Sequence, residues 1–201
     1  MDESNETAVV AEKSAGNVSP ADGFLEIKEG LASMQYDKNE EVFYNKVQVF
    51  NRDTSIEIIK LFGETFDMEK KVKYDKKMLN YAADPTKFEH KPTEPSYGIH
   101  VLDALAATGL RSVRYVKEIH GVNKVTINDL LPAATAAAQV TCDRNGVSPD
   151  KITISTGIYC SELEKYRLSS FYLTICYRRD TEKCMRVILR SGHKTFAGID
   201  L

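Results

Sequence analysis

The sequence predicts an α/β fold, an open and partly complete Rossmann-like sheet of parallel strands alternating with helices, preceded by a small β-containing extension. Three observations predict it. From Gly98 onward, short apolar runs suited to buried strands (IHVLDAL, KVTINDL and KITIS) alternate with helix-forming stretches of matching length. The first run ends in a turn of small residues and the second ends in an acid. Upstream, FLEIKEGLASMQ alternates apolar and polar residues in the manner of a short hairpin.

Taken in order, residues 1–22 are expected to form a disordered leader. They lack the basic start and apolar run of a secretory signal, and also the Arg-rich, acid-poor character of a mitochondrial transit peptide. Residues 1–30 hold seven acids and two bases, so the remainder of this chain of net charge −2 is mildly basic. Residues 23–97 form the extension. After the hairpin, a helix is expected around Ile56, Ile59, Leu61 and Phe62, with Asp53 or Thr54 as its N-cap and Glu57 completing a capping box with Thr54. The Lys- and Pro-rich stretch from Glu69 to Tyr97 reads as a surface excursion.

Residues 98–201 form the α/β domain. Its first helix follows the glycine of AATGLRSVRYVKEI, and its second opens on Pro132 and stops at Asn145-Gly146. From about Tyr159 the pattern weakens into a divergent tail, where FYLTICY and MRVIL look strand-like but no amphipathic helix joins them. The Lys and Arg residues between Lys165 and Lys194 suit a solvated face better than a phosphate contact.

No run approaches the roughly 18 apolar residues of a membrane span, so no membrane association is expected. The four cysteines (Cys142, Cys160, Cys176 and Cys184) form no CxxC pair and have no histidine at zinc-finger spacing. Reduced structural thiols are expected rather than a metal site. An intracellular location, nuclear or cytoplasmic, follows, with a mitochondrial one left open.

The chemistry-bearing unit is HVLDALAATGLRSVRY followed by KVTINDL. A cofactor lying across the carboxyl ends of the strands needs a tight turn for close approach, and Ala104, Ala106, Ala107, Thr108 and Gly109 supply it. Asp129 lies 20 residues after Gly109, near the spacing at which a second strand offers a carboxylate to a ribose. By pattern alone the unit fits nucleotide or adenosylmethionine binding and a generic α/β turn equally. The missing glycine pair speaks against a dinucleotide, because an alanine turn suits a ligand that has no pyrophosphate to cradle.

The blocks EVFYNKVQVFNRD, VLDALAATGLRSVRY and INDL stand in the same order as three blocks of a known family. From about Phe24 to Ile154 the chain resembles the tRNA (guanine(26)-N(2))-dimethyltransferases, class I enzymes that use S-adenosylmethionine. The resemblance implies that Arg52 reaches the methionine carboxylate of the cofactor, that Arg111 helps to enclose it, and that Asp129 binds its ribose. Arginine suits a carboxylate because its planar fork donates two parallel hydrogen bonds. A surface ion pair remains the alternative for each arginine, and a helix N-cap for Asp129. Phe43 and Tyr44 are either core residues or stacking partners of the cofactor or base.

The implied reaction methylates the exocyclic N2 of a guanine in tRNA, which must first be extruded from the folded RNA. Oligomeric state is not implied. Three departures from the family matter. Lys46 replaces a proline after VFYN, and Gly157, Ile158 and Tyr159 stand where the family has an acid-containing turn that holds adenine. FAGIDL resembles the fourth strand, whose following Asp-Pro-Phe-Gly or Asp-Pro-Tyr-Gly motif would lie beyond Leu201. No catalytic residue is therefore expected within the chain, and Asp200 is one step too early to substitute. The expectation is an incomplete form with catalysis lost or severely reduced; the alternative is a non-catalytic fragment that binds cofactor or tRNA.

Overall fold

The computed structural model describes residues 23–37, 44–158, 172–177, 185–191 and 194–200. The expected hairpin is present as β1 (Phe24–Glu29) and β2 (Ala32–Asp37), paired antiparallel with Glu29 opposite Ala32. Ala32 and Met34 turn inward and are buried. Asn145 fixes the hairpin from outside: its side-chain oxygen accepts from Ser33 N at 3.0 Å, and its amide nitrogen donates to Ser33 O at 2.6 Å. A single side chain thereby imitates a strand partner.

The long helix α1 spans Val49–Ala83, 35 residues, and corrects two expectations. Asp53 and Thr54 are not its caps. The chain enters through a 3-10 turn at Lys46–Gln48, where Asn45 caps by accepting from Val47 N at 2.9 Å. Thr54 lies one turn inside and donates to Phe50 O at 2.8 Å. The stretch from Glu69 to Ala83 is helix rather than a surface excursion. Lys, Glu, Met, Leu and Ala are strong helix formers, and no glycine or proline interrupts the chain between Gly63 and Pro85. The pairs Lys73–Glu69 and Lys71–Asp75 add support at four-residue spacing. Arg52, Ser55, Ile56, Ile59 and Gly63 form the buried face, confined to the first half of the helix.

The larger sheet contains β3 (Ile99–Asp103), β4 (Val122–Asp129), β5 (Ile152–Thr156), β6 (Tyr172–Tyr177), β7 (Met185–Ser191) and β8 (Lys194–Asp200). Their spatial order is β5-β4-β3-β6-β7-β8. The first four are mutually parallel, in the order of one half of a doubly wound, Rossmann-like fold. Helices α2 (Leu110–Glu118) and α3 (Pro132–Arg144) follow β3 and β4, with Pro132 in the first turn as expected. Val113, Val125, Ile127 and Ala138 are wholly buried between these layers. Burying a Val or Ile side chain contributes roughly 1.5–3 kcal/mol.

Both strand-like runs of the tail are strands, paired antiparallel as β6 and β7. An antiparallel pair needs only a short connection, in keeping with the lack of a helical pattern in the sequence between them. The place beside β3 belongs to β6, whereas the FAGID part of FAGIDL lies in β8 at the sheet edge, antiparallel to β7. The fourth-strand reading of FAGIDL is corrected accordingly.

Candidate cofactor site

The parallel register places Asp103 opposite Ile127, so Asn128 and Asp129 extend past the end of β3 on the carboxyl side of the sheet. The turn after β3 folds down onto them. Ala106 N donates to Asn128 O at 3.0 Å, and Ala107 N donates to Asp129 Oδ2 at 2.9 Å. To present that N–H, Ala107 adopts φ +47°, a left-handed conformation that costs a non-glycine residue about 1–2 kcal/mol. Such strain is concentrated at functional sites.

Gly109 ends the turn at φ +73°. A Cβ there would stand 2.8 Å from Ala138 Cβ, so the glycine also permits α2 to lie against α3. The other Asp129 oxygen, Oδ1, accepts from Leu131 N at 3.0 Å. The carboxylate therefore ties the turn after its own strand to the turn after its neighbour. Asn128 does the same from within: its amide donates to Ala104 O and Gly157 O, both at 3.1 Å, while its buried Oδ1 has no partner among the described residues.

Asp103, 1% exposed, lies below this turn and accepts from Ser112 Oγ at 2.7 Å. Burial raises its pKa above the usual carboxylate range; Arg111 and Ser112 act against the rise, and Asp129 adds to it. Arg111 is half-buried. Burial works against its charge, but Tyr115, Asp103 and Glu29 outweigh burial and keep the guanidinium firmly protonated. The Tyr115 hydroxyl is pushed well above its ordinary value by burial.

Arg52 makes an ion pair that is buried, not on the surface. It is 6% exposed, and its Nε and Nη2 donate to Glu29 at 2.7 and 2.6 Å, with Nη2 also reaching Asn45 O at 3.2 Å. Its guanidinium lies over the Tyr44 ring at 5.1 Å, and the Tyr44 hydroxyl donates to Glu29 at 3.3 Å. Tyr44 thus belongs to this ionic cluster and packs on the core; Phe43 falls outside the described residues. Glu29 also receives Arg114 Nη1 at 2.6 Å, and Arg114 in turn binds Glu118 and Asp53.

Arg52 is held by Glu29, while at the strand end Arg111 works to lower the pKa of Asp103 and Asp129 to raise it. Asp129 is bonded to the turn, Arg111 stands in the first turn of the helix that follows it, and Arg52 is bonded to Glu29 of the hairpin. Asp103 was legible in HVLD by the same signal that marked Asp129, an acid closing an apolar run. Glu29 carries no such signal, since an acid in an alternating hairpin is ordinary. Ile158, at the end of the β5 turn, is 65% exposed and offers no polar side-chain atom. Among the described residues no three His, Cys, Asp or Glu side chains gather in a metal-binding group, and no helix is long and apolar enough to cross a membrane.

Residues 23–159 match the family model of the N2,N2-dimethylguanosine tRNA methyltransferases. The chain belongs to this family. Among N2,N2-dimethylguanosine tRNA methyltransferase relatives, it is 34% identical over 169 residues to the tRNA (guanine(26)-N(2))-dimethyltransferase of Drosophila melanogaster, covering 75% of this chain and 29% of that one. With the mitochondrial enzyme of Saccharomyces cerevisiae it shares 36% over 140 residues, 60% of this chain and 24% of that one. It therefore spans only 24–29% of those relatives' length. The structure of Trm1 from Pyrococcus horikoshii with S-adenosyl-L-methionine aligns over 85% of this chain and 29% of its own, at 21% identity and a TM-score of 0.39.

Proposed function

We propose that this chain forms the S-adenosylmethionine-binding part of a tRNA (guanine(26)-N(2))-dimethyltransferase, with tRNA as the substrate and an intracellular compartment as its place of work. The observation that carries this reading is Asp129, closing the second parallel strand with both carboxylate oxygens oriented by backbone N–H groups beside an alanine turn.

The residues present fit the cofactor. Each Asp129 oxygen retains acceptor capacity for a ribose hydroxyl beyond the one N–H it already binds. Ala104, Ala106 and Ala107 allow close approach where a larger side chain would project. Arg111 supplies a permanent positive charge for the methionine carboxylate, and Arg52 supports the same end, its Nη1 entering none of the described contacts. When bound, S-adenosylmethionine supplies an electrophilic methyl group on a sulfonium. The chain's own part is to bind and orient; the role of proton acceptor is given to none of the described residues.

Isothermal titration calorimetry with S-adenosylmethionine tests the reading. The wild-type chain is expected to bind, and Asp129→Ala and Arg111→Ala each to weaken binding by at least about tenfold, which is 1.4 kcal/mol. Arg52→Ala is expected to weaken it as well. Absence of binding by wild type, or equal affinity in all variants, ends the proposal. Incubation with labelled cofactor and an unmodified tRNA transcript measures separately whether the chain transfers methyl groups.

A further inference from the structure

Helix α1 carries a second face that the described residues leave uncovered. Leu61, Met68, Val72 and Leu79 are 66%, 67%, 62% and 72% exposed. At about 100° per residue these four lie within roughly 20° of a single line, opposite the buried Ile56, Ile59 and Gly63, and at 1.5 Å per residue the line runs for about 27 Å. A stripe of four large apolar side chains in water is the pattern of a helix lacking its partner.

The charges along the same helix are segregated. Residues 53–69 contain five acids and one base, and residues 70–77 contain five lysines and one acid. Both arrangements have their centre near residue 70. If a second copy of α1 is laid antiparallel about that point, Leu61 comes level with Leu79 and Met68 with Val72. The acidic half of each helix then lies along the basic half of the other. A parallel pairing would set like charge against like.

We infer that α1 is a self-association surface, and that two copies of this chain pair through antiparallel α1 helices along the Leu61–Met68–Val72–Leu79 stripe. Nucleic acid is the competing occupant for the lysines, but a phosphate backbone has no use for the apolar stripe and is repelled by the acidic half. The pairing is independent of the cofactor reading, because no residue of the strand-end cluster takes part in it.

Sedimentation equilibrium on the whole chain tests this. The apparent mass is expected to rise with concentration from 22.6 kDa towards twice that value, and to fall back as salt is added. Met68→Lys, at the centre of an exposed face, is expected to remain monomeric with unchanged far-ultraviolet circular dichroism. Two charge-reversed variants provide the decisive arm. Glu64→Lys with Glu69→Lys, and Lys71→Glu with Lys76→Glu, should each lose self-association, and their mixture should regain it, since each acquires the charge pattern that the other needs. Wild type that stays monomeric at every concentration overturns the proposal. So does a Met68→Lys variant that pairs as well as wild type, a mixture that fails to pair, or a monomer whose lysines respond only to added RNA.

Discussion

Glu29 at the end of β1 holds Arg52 of α1 and Arg114 of α2 at once, each through a hydrogen bond of 2.6 Å. One carboxylate, 7% exposed, thereby joins the hairpin, the long helix and the α/β layer. Its loss would leave two buried guanidinium groups short of a partner. Glu29→Ala is expected to destabilise the chain by about 3–5 kcal/mol, the cost of breaking a buried ion pair from one side. Urea denaturation measures it, and a loss below 1 kcal/mol would show that the network does not hold these elements together. Removing Arg52 as well should cost less than the sum of the two single changes.

Gly109 is required twice, by its φ of +73° and by the 2.8 Å that a Cβ would leave to Ala138. Gly109→Ala is expected to lower stability by about 1–3 kcal/mol. Adding Ala138→Gly should recover the part due to the Ala138 Cβ and leave the part due to backbone conformation and to the Ala138 Cα, which would stand at 3.0 Å. Thermal melts of the two single variants and the double one measure that recovery, and full recovery would mean that the left-handed conformation contributes nothing.

Asp103 makes stability depend on pH in an unusual direction. Its folded-state pKa is raised, by burial first, so between its ordinary value and the raised one the folded chain binds more protons than the unfolded chain. Its contribution is therefore most favourable at low pH and declines as pH rises through that window. Asp103→Asn is expected to be more stable than wild type at neutral pH, with the difference shrinking on acidification towards pH 4. A difference that stays constant with pH, followed by chemical denaturation, would contradict the assignment.

Cys142 is buried in the α3 core, and burial followed by the neighbouring Asp143 pushes its thiol up to about 11. In a variant with serine at Cys160, Cys176 and Cys184, the native chain at pH 8 should resist a thiol-reactive dye and react only as fast as it opens. Rapid stoichiometric labelling would place Cys142 at the surface instead.

The strand-turn-helix succession was legible because each signal was local. An apolar run marks a buried strand, Pro132 a first helical turn, Asn145-Gly146 a stop, and the alternation of FLEIKE and ASMQYD a hairpin. Lysine density hides the length of α1, although lysine itself favours helix and the first breaker after Gly63 is Pro85. The placing of β8 at the sheet edge depends on strand order, which no local pattern encodes. At the candidate site, Asp129 announced itself by ending a β-rich run. Glu29 stayed hidden because its importance arises from a contact 85 residues away, with Arg114.

The two backbone N–H groups on Asp129 have a consequence for whatever arrives there. A carboxylate on a free side chain surrenders its torsional freedom at the moment of capture, and the complex is weaker by that amount. Here the rotation is already frozen when the protein folds. A hydroxyl bound there, as proposed, would meet a carboxylate already fixed in place, and its recognition would be governed by shape instead of by adjustment.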